Sequence, residues 1–269
     1  MKPEPSSPAP FPSDHPASAG VVPASSSAER SLRLLTFLAK AGHPLSLADL
    51  GSNLNLPKAT VHRLCSHLLD LGFIARDVDE RTFAVGPSLR ALALDTLNYS
   101  TVRGLRHAVL TDLVSRVGET CNFTTLDGAD VLYLDRVEAP WPWRLKLEAG
   151  EHVPLHATAS GKLFLAAMEP ERRARVLGQL RLDRLTPNTL VDPEHLLAEC
   201  NAINEKGYSV DREEFIAGLV AVAVPVSDPN GQVRAALAIH GPTMRMSIER
   251  MIACVPALKE AAARMSSLL

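Results

Sequence analysis

One stretch constrains the fold more than any other: residues 45–71, which read LSLADLGSNLNLPKATVHRLCSHLLDL. Ser46 can cap a first helix through its hydroxyl, and Asn55 lies where a turn is needed. Pro57 suits the first position of a second helix, because its missing N–H would be unpaired there anyway. The apolar residues repeat at the spacing of two helix faces, which are Leu47, Leu50, Leu54 and Leu56, then Val61, Leu64, Leu68 and Leu71. The stretch therefore predicts two short helices joined by a tight turn.

The outward face of the second helix is cationic and rich in hydrogen-bonding groups. With Asp70 as its one acid near the far end, this face carries Lys58, Thr60, His62, Arg63, Ser66 and His67. A helix-turn-helix places its second helix in the DNA major groove, and that helix typically has a buried leucine-rich face and an exposed cationic, polar face. The alternative is an ordinary helical hairpin with a solvated polar face, so the flanking sequence has to decide.

The flanks favour a winged helix-turn-helix. Residues 28–41 have helical apolar spacing and end at Gly42. Residues 73–85 predict a β-hairpin that turns Ile74, Phe83 and Val85 inward around a charged tip. Near this tip, Arg76 and Arg81 either contact phosphate from the wing or pair with neighbouring acids in a solvated hairpin.

Composition places few further limits on the protein. The net charge is −2, so DNA binding would need a local basic patch. The four cysteines form no CxxC pair, which predicts reduced thiols in a cytoplasmic protein rather than a zinc site or a disulfide framework. We also expect no cofactor. No apolar run reaches the roughly 18 residues of a membrane span. Residues 1–27 are rich in Pro, Ser and Ala and predict a disordered tail.

The remaining chain predicts an α+β domain from about residue 105. A helical run from Pro87, broken at 98–100, connects the two parts. Strands and helices then mix, with a strong hairpin signal at residues 227–231. The predicted strands are 119–126, 131–137, 143–147, 208–210, 220–226 and 233–239, and the predicted helices are 159–168, 170–180, 193–206 and 243–269. Antiparallel hairpins rather than βαβ repeats favour a sensor-like fold.

HVPLHATASGKLFLA, residues 152–166, is the most unusual segment. It is not a phosphate-binding P-loop, because His156 stands where the first glycine would be and Leu163 replaces the magnesium-binding hydroxyl. What remains is a loop entering a helix N-terminus, where free N–H groups favour an anion such as a carboxylate. A plain capped helix is the alternative. Pro154 separates His152 from His156, so we expect no metal site there.

Three other features have two interpretations each. The acidic cluster of Asp211, Glu213 and Glu214 lacks a nucleophile motif, which leaves a solvated turn or one carboxylate in a pocket. His240 is either a satisfied core histidine or a ligand donor. Trp141 and Trp143 flank Pro142, and we favour a packing role over a pocket or dimer contact.

From about Ala28 onward the chain resembles the IclR family of bacterial transcriptional regulators. The resemblance is carried by LPKATVHRLCSHLLDLGFI, PLHATASGK and DREEFIAGLVAVAVPVSDPNGQVRAALAIHGP, in that order. It implies an α+β protein with a winged helix-turn-helix at 28–86, a dimerising linker helix at 87–104, and a GAF-like effector-binding domain at 105–269. It also implies a regulator of catabolic genes rather than an enzyme.

The resemblance implies an effector pocket with a carboxylate cradle, one acid and an apolar wall. These positions are Ala159 and Ser160, then Asp211, then Leu145, Val153 and Leu219, together with Ala221, Ala238 and His240. Ala221 stands where many members have Cys, and Ala238 and His240 stand where many have Ser. These departures argue against a two-carbon oxoacid such as glyoxylate and favour a larger organic acid, with an aromatic acid as our hypothesis.

On DNA, we expect a homodimer or homotetramer to read two half-sites of a palindromic operator in double-stranded DNA. RNA polymerase is a further candidate partner. The predicted DNA contacts are Lys58, Arg63, Arg76 and Arg81 to phosphate, Thr60, His62 and His67 to base edges, and Arg30, Arg33, Ser46 and Ala59 around them. Two other interpretations stay open: an enzyme using the acidic cluster with His156 or His240, and a winged helix that binds protein instead of DNA.

Overall fold

The structure is a computed structural model that describes residues 26–77, 81–97, 100–141 and 147–269. The chain folds as two units, Met1–Leu89 and Arg90–Leu269. Across the described segments, every helix is too short or too polar to cross a membrane.

The first unit contains three helices whose apolar faces share one core. They are α1 (Ser27–Ala41), α2 (Leu47–Leu54) and α3 (Lys58–Asp70). The buried residues of this core are Leu34 and Leu38 of α1, Leu50 and Leu54 of α2, and Val61, Leu64, Cys65 and Leu68 of α3. The two predicted faces of residues 45–71 therefore do pack together. Leu71 is the exception: it is 50% exposed, because α3 ends at Asp70 and Leu71 follows as its C-cap.

The helix ends follow from single residues. Ser46 caps α2 as predicted, and a capping box is completed by Asp49. Asn55 takes the left-handed backbone conformation, with φ 52°, at the turn. Pro57 is the N-cap of α3 rather than its first helical residue, a difference of one position. Ser26 caps the start of α1, so Ser27 is already helical although it was expected in the tail.

The predicted hairpin is present and is joined by a third short strand. Its strands are β2 (Ile74–Arg76) and β3 (Thr82–Val85), with Ile74 and Phe83 in the core. The unexpected strand is β1 (Leu45–Ser46), which pairs with β3 and gives the sheet order β1-β3-β2. The tip at residues 78–80 lies outside the described residues. The first unit therefore has the winged form of the helix-turn-helix.

Two helices lead into the sheet of the second unit. They are α4 (Pro87–Leu97) and α5 (Ser100–Val117). Of the predicted break at 98–100, Ser100 is helical instead, and residues 98 and 99 lie outside the described residues. The buried residues of α5 include Arg106, Leu110 and Leu113.

The second unit is built on a six-stranded antiparallel sheet with the order β6-β5-β4-β9-β8-β7. The strands are β4 (Thr120–Asp127), β5 (Asp130–Val137), β6 (His152–Pro154), β7 (Ser209–Arg212), β8 (Leu219–Ser227) and β9 (Val233–Pro242). Strand β6 was not predicted, since we expected a loop there. Of the predicted strand 143–147, residues 143–146 lie outside the described residues and Leu147 is not in a strand.

Helices cover both faces of this sheet. In chain order they are α6 (Ala159–Ala167), α7 (Pro170–Gln179), α8 (Pro193–Lys206), α9 (Ile248–Ala253) and α10 (Val255–Ser266). One apolar cluster joins the sheet to α5, α9 and α10, and a second joins it to α6, α7 and α8. The single C-terminal helix predicted from residue 243 is in fact two helices, of which the first begins only at Ile248. They are divided at Cys254, and Pro256 lies in the first turn of the second helix, where a missing N–H is tolerated. The α+β class is confirmed.

Candidate nucleic-acid interface and ligand pocket

The polar face of α3 is exposed as a continuous surface. Five of its predicted DNA contacts are exposed and Thr60 is half-buried, the exposed ones being Lys58, Ala59, His62, Arg63 and His67. The opposite face is buried in the helical core. The first turn of α3 contains no acidic residue, so no carboxylate there neutralises the positive charge at the start of the helix.

The remaining predicted contacts belong to other elements of the first unit. Arg33 is exposed and Arg30 is half-buried on α1, while Arg76 and Arg81 are exposed on the hairpin. The Arg76 guanidinium lies 5.3 Å from the centre of the Phe83 ring. Ser46 is different, because its hydroxyl accepts from the Asp49 N–H at 3.2 Å and donates to the Asp49 carboxylate at 2.7 Å. Its side chain is thus already used by the helix cap.

A cavity lies between the sheet of the second unit and the start of α6. It brings together eight of the predicted effector positions, which are Val153, Ala159, Ser160, Asp211, Leu219, Ala221, Ala238 and His240. The ninth, Leu145, lies outside the described residues. Ala159, Ala221, Ala223 and Ala238 form a small cluster of buried methyl groups there. Neighbouring antiparallel strands place Ala221 opposite both Asp211 and His240, which explains why residues so far apart in sequence meet.

The start of α6 presents free backbone donors to this cavity. Thr158 is the cap: its hydroxyl accepts from the Gly161 N–H at 3.1 Å and donates to the Pro154 carbonyl at 2.9 Å. Among the described residues, no acceptor bonds the backbone N–H of Ala159 or Ser160. Two unpaired N–H groups at a helix N-terminus attract an anion.

Gly161 allows the loop before α6 to pack against the helix. A Cβ atom at this position would lie 2.1 Å from the Leu155 carbonyl oxygen, far inside van der Waals contact. The close approach of these two backbones sets where the α6 N-terminus points. This gives the glycine of the ATASGK segment a steric role rather than a phosphate-binding one.

The acidic cluster separates into different roles. Asp211 is buried, and burial raises its pKa from 3.8 to about 7. It accepts from the Glu214 N–H at 2.7 Å. Glu214 pairs with the fully buried Lys162, whereas Glu213 accepts from the Gly218 N–H at 2.7 Å. Of the two interpretations of this cluster, the one that places a carboxylate in a pocket fits Asp211.

His240 belongs to a series of hydrogen-bonded polar side chains at the cavity wall. Its Nδ1 lies 3.0 Å from the Asn122 side-chain nitrogen, and the Asn122 oxygen accepts from the Arg136 guanidinium at 3.0 Å. Burial lowers the pKa of His240 from 6.5 to about 3, so the ring is neutral at physiological pH. His240 is therefore a neutral donor-acceptor group lining the cavity.

Trp141 lies apart from this cavity. Its indole N–H donates to the Gly118 carbonyl at 2.8 Å, and the Arg245 guanidinium lies 5.0 Å from its ring centre. The side chain is 43% exposed, so it covers the surface rather than filling the core. Trp143 lies outside the described residues.

Comparison with known proteins now settles the family. The model of the IclR helix-turn-helix domain matches residues 27–78, and the model of the bacterial transcriptional regulator IclR C-terminal domain matches residues 94–267. The chain belongs to the IclR family. An IclR protein is a DNA-binding regulator that responds to a small molecule and is not an enzyme, so the enzyme interpretation is excluded.

Three similar proteins illustrate the match. The chain is 40% identical to the Probable transcriptional regulator SauR of Cupriavidus necator, over 88% of this chain and 94% of that protein. An IclR homolog from Microbacterium hydrocarbonoxydans, solved with 4-hydroxybenzoate, is 27% identical with a TM-score of 0.57, over 91% and 99% of the two chains. The inducer-binding domain of PobR from Acinetobacter, a double mutant solved with 3-hydroxybenzoic acid, is 28% identical with a TM-score of 0.57, over 61% and 96%.

Five residues around the cavity were not predicted from this IclR sequence. They are Asn122, Tyr133, Leu147, Thr158 and Phe215. The sequence contained a signal for Asn122, because a side-chain amide between the apolar residues Cys121 and Phe123 of a strand needs a hydrogen-bond partner. Tyr133 carried a weaker signal, since its ring fits either an apolar core or a pocket wall, and the sequence pattern of Thr158 indicates a helix cap rather than a pocket residue.

Proposed function

We propose that the protein regulates catabolic genes by binding a palindromic operator through α3 and a small organic acid in the cavity beside α6. The observation that carries the proposal is the pair of unpaired N–H groups of Ala159 and Ser160, which face a cavity also lined by Asp211 and His240. A carboxylate matches these two donors. The protein would act in the cytoplasm, where its DNA target lies.

We propose an aromatic acid as the effector class. The alanine cluster provides an apolar wall without bulky side chains, and Tyr133 and Phe215 add aromatic surface. Burial raises the pKa of Tyr133 to about 12, so its hydroxyl keeps its proton and can donate to a ligand. Two similar proteins were solved with hydroxybenzoates, which supports the same class here.

We propose that DNA contacts arise from the predicted set on α1, α3 and the hairpin. Arg63 and Lys58 would contact phosphate, and Thr60, His62 and His67 would approach base edges. A homodimer fits a palindromic site, because each protomer reads one half-site. Leu92 on α4 and Leu105 on α5 are 52% and 51% exposed, which is consistent with self-association through these helices.

Two titrations test this function. A DNA fragment selected by the wild-type protein from a random pool is bound in a fluorescence-anisotropy assay, at several salt concentrations. Arg63→Ala should weaken binding by about 1–3 kcal/mol. Arg181→Ala, which removes an arginine with an 89% exposed side chain from the second unit, should leave binding unchanged. An absence of any selected sequence would refute DNA reading.

The effector is tested by calorimetric titration with benzoate, 4-hydroxybenzoate, acetate and glyoxylate. We expect a hydroxybenzoate-sized acid to bind and to change operator affinity, because an effector shifts DNA binding by its differential affinity for the two states. Tight binding of the two-carbon acids alone would refute the aromatic class. Ligand-independent DNA binding across the whole panel would contradict an organic-acid effector.

A further inference from the structure

Three side chains on neighbouring strands form a hydrogen-bonded series, and two of them, Asn122 and His240, line the cavity. Asn122 of β4 lies directly across from Arg136 of β5, and its other neighbour, β9, supplies His240. Arg136 is almost buried, with 5% of its side chain exposed. Its Nε also lies 3.5 Å from Oε1 of Glu138. Asn122 and His240 are 1% and 6% exposed. None of the three is therefore a solvated group with freely changing partners.

The order of donors in this series follows from chemistry. A guanidinium can only donate, so the Asn122 atom 3.0 Å from Arg136 must be its oxygen. The amide nitrogen of Asn122 then faces His240, and an amide NH₂ can only donate. His240 Nδ1, 3.0 Å away, must accept that hydrogen bond and carries no proton. In a neutral imidazole the proton then lies on Nε2.

We infer that Asn122 and Arg136 are positioning residues, which fix His240 in the Nε2–H tautomer and thereby make it a hydrogen-bond donor to the bound ligand. This inference rests on the proposed function, because it deepens the role of the same cavity. Among the described residues, no protein acceptor bonds Nε2, and His240 lines the cavity. A ligand oxygen is the matching partner for this proton.

This arrangement also sets ligand specificity. The α6 N-terminus supplies two backbone donors, and His240 supplies a third donor from the sheet side. A ligand with acceptors at both places, such as an acid with a second oxygen, satisfies all three. In the other tautomer Nε2 would be an acceptor and would repel such an oxygen.

The test is the protonation of the two His240 ring nitrogens in the ligand-free protein, read by nuclear magnetic resonance after ¹⁵N-histidine labelling. The His240 signals are assigned by their loss in His240→Gln. We expect a protonated Nε2 and an unprotonated Nδ1 in the wild type. A protonated Nδ1 in the wild type would overturn the inference.

Asn122→Asp is the decisive variant, because a carboxylate has the shape of the amide but has no proton to donate. To keep the hydrogen bond, the Nδ1 of His240 must then carry a proton, and its ¹⁵N signal should change accordingly. Arg136 gains an ion pair with the new carboxylate at position 122. Affinity for the hydroxybenzoate identified by titration should fall at least tenfold. An Nδ1 that stays unprotonated in Asn122→Asp would overturn the inference.

Thr124→Val is the matched control. Thr124 is buried on the same strand and the same face, and its hydroxyl donates to the Ala236 carbonyl at 3.3 Å rather than to His240. It should change neither the His240 signals nor ligand affinity. If none of the acids binds, the proposed effector class fails, but the tautomer measurement still decides the inference.

Discussion

Asp211→Asn measures how much the burial of this carboxyl group changes the free energy of unfolding. Asp211 is buried beside Glu214, and its pKa is raised mainly by burial, from 3.8 to about 7. The neighbouring charges act in opposite directions, since Glu214 raises the pKa and Lys162 lowers it. An asparagine retains an oxygen that can accept from the Glu214 N–H but carries no titratable proton.

The sign follows from proton binding. Between pH 3.8 and about 7 the folded chain holds a proton on Asp211 that the unfolded chain has released. The stability due to this group is therefore complete below pH 3.8 and is lost as pH rises through 7. One pH unit within the window corresponds to about 1.4 kcal/mol. Between pH 5 and pH 8, Asp211→Asn should thus gain about 3 kcal/mol in free energy of unfolding relative to wild type.

Urea unfolding followed by tryptophan fluorescence measures this change. The chain has two tryptophans, at positions 141 and 143, and both belong to the second unit, so the signal reports the domain that holds Asp211. The difference between variant and wild type at each pH removes the contributions that histidines and other titrating groups make to the free energy of unfolding, because these are the same in both proteins. Asp130→Asn, an exposed acid at the start of β5, should follow the wild-type profile. Parallel profiles for Asp211→Asn and wild type would refute the reasoning.

Two further substitutions test a close backbone contact and a helix cap. Gly161→Ala forces a Cβ against the Leu155 carbonyl and should lower the free energy of unfolding by about 3 kcal/mol in the same fluorescence assay. Gly178→Ala, where a Cβ meets no atom within 4 Å, should leave it unchanged or raise it by up to about 1 kcal/mol, and equal losses would contradict the steric argument. Ser46→Ala should destabilise the first unit by about 1 kcal/mol in far-ultraviolet circular dichroism, because it removes the capping box. Ser52→Ala, an exposed serine within α2, is its control, and an unaffected Ser46→Ala would mean that the cap contributes nothing.

The fold was predictable where a local signal is strong. The leucine spacing of residues 45–71, the cap residue Ser46 and the turn residue Asn55 indicated two helices, and both are present. The helix predicted at 193–206 has the same bounds in the structure, because Asp192 caps it and Gly207 ends it. These signals act within one or two turns of the chain.

The parts that could not be predicted depend on distant partners. Strand β1 contains two residues, and only its pairing with β3 makes it a strand. Strand β6 was expected as a loop for the same reason, since its pairing with β5 supplies the missing signal. Leu71 fits the helical spacing but lies beyond the helix end, so apolar periodicity alone could not show its exposure.

The ligand cavity was predictable only in part. The resemblance to the IclR family supplied eight positions that the cavity brings together, but Asn122 and Tyr133 depend on sheet register. Asn122 meets His240 across 118 positions of sequence, a pairing that no local pattern encodes. For the same reason, no spacing argument could derive the burial that changes the pKa of Asp211.

The alanines that line the cavity beside α6 have a consequence for how this regulator can diversify. Ala159, Ala221 and Ala238 are all small and buried, and each contributes a methyl group to the cavity wall. A change to serine, cysteine or valine at any of them alters the room or polarity of the cavity by one or two atoms, while α6, β8 and β9 keep their backbone hydrogen bonds. The cavity can therefore be adapted to a different small molecule in single steps, without rebuilding the fold.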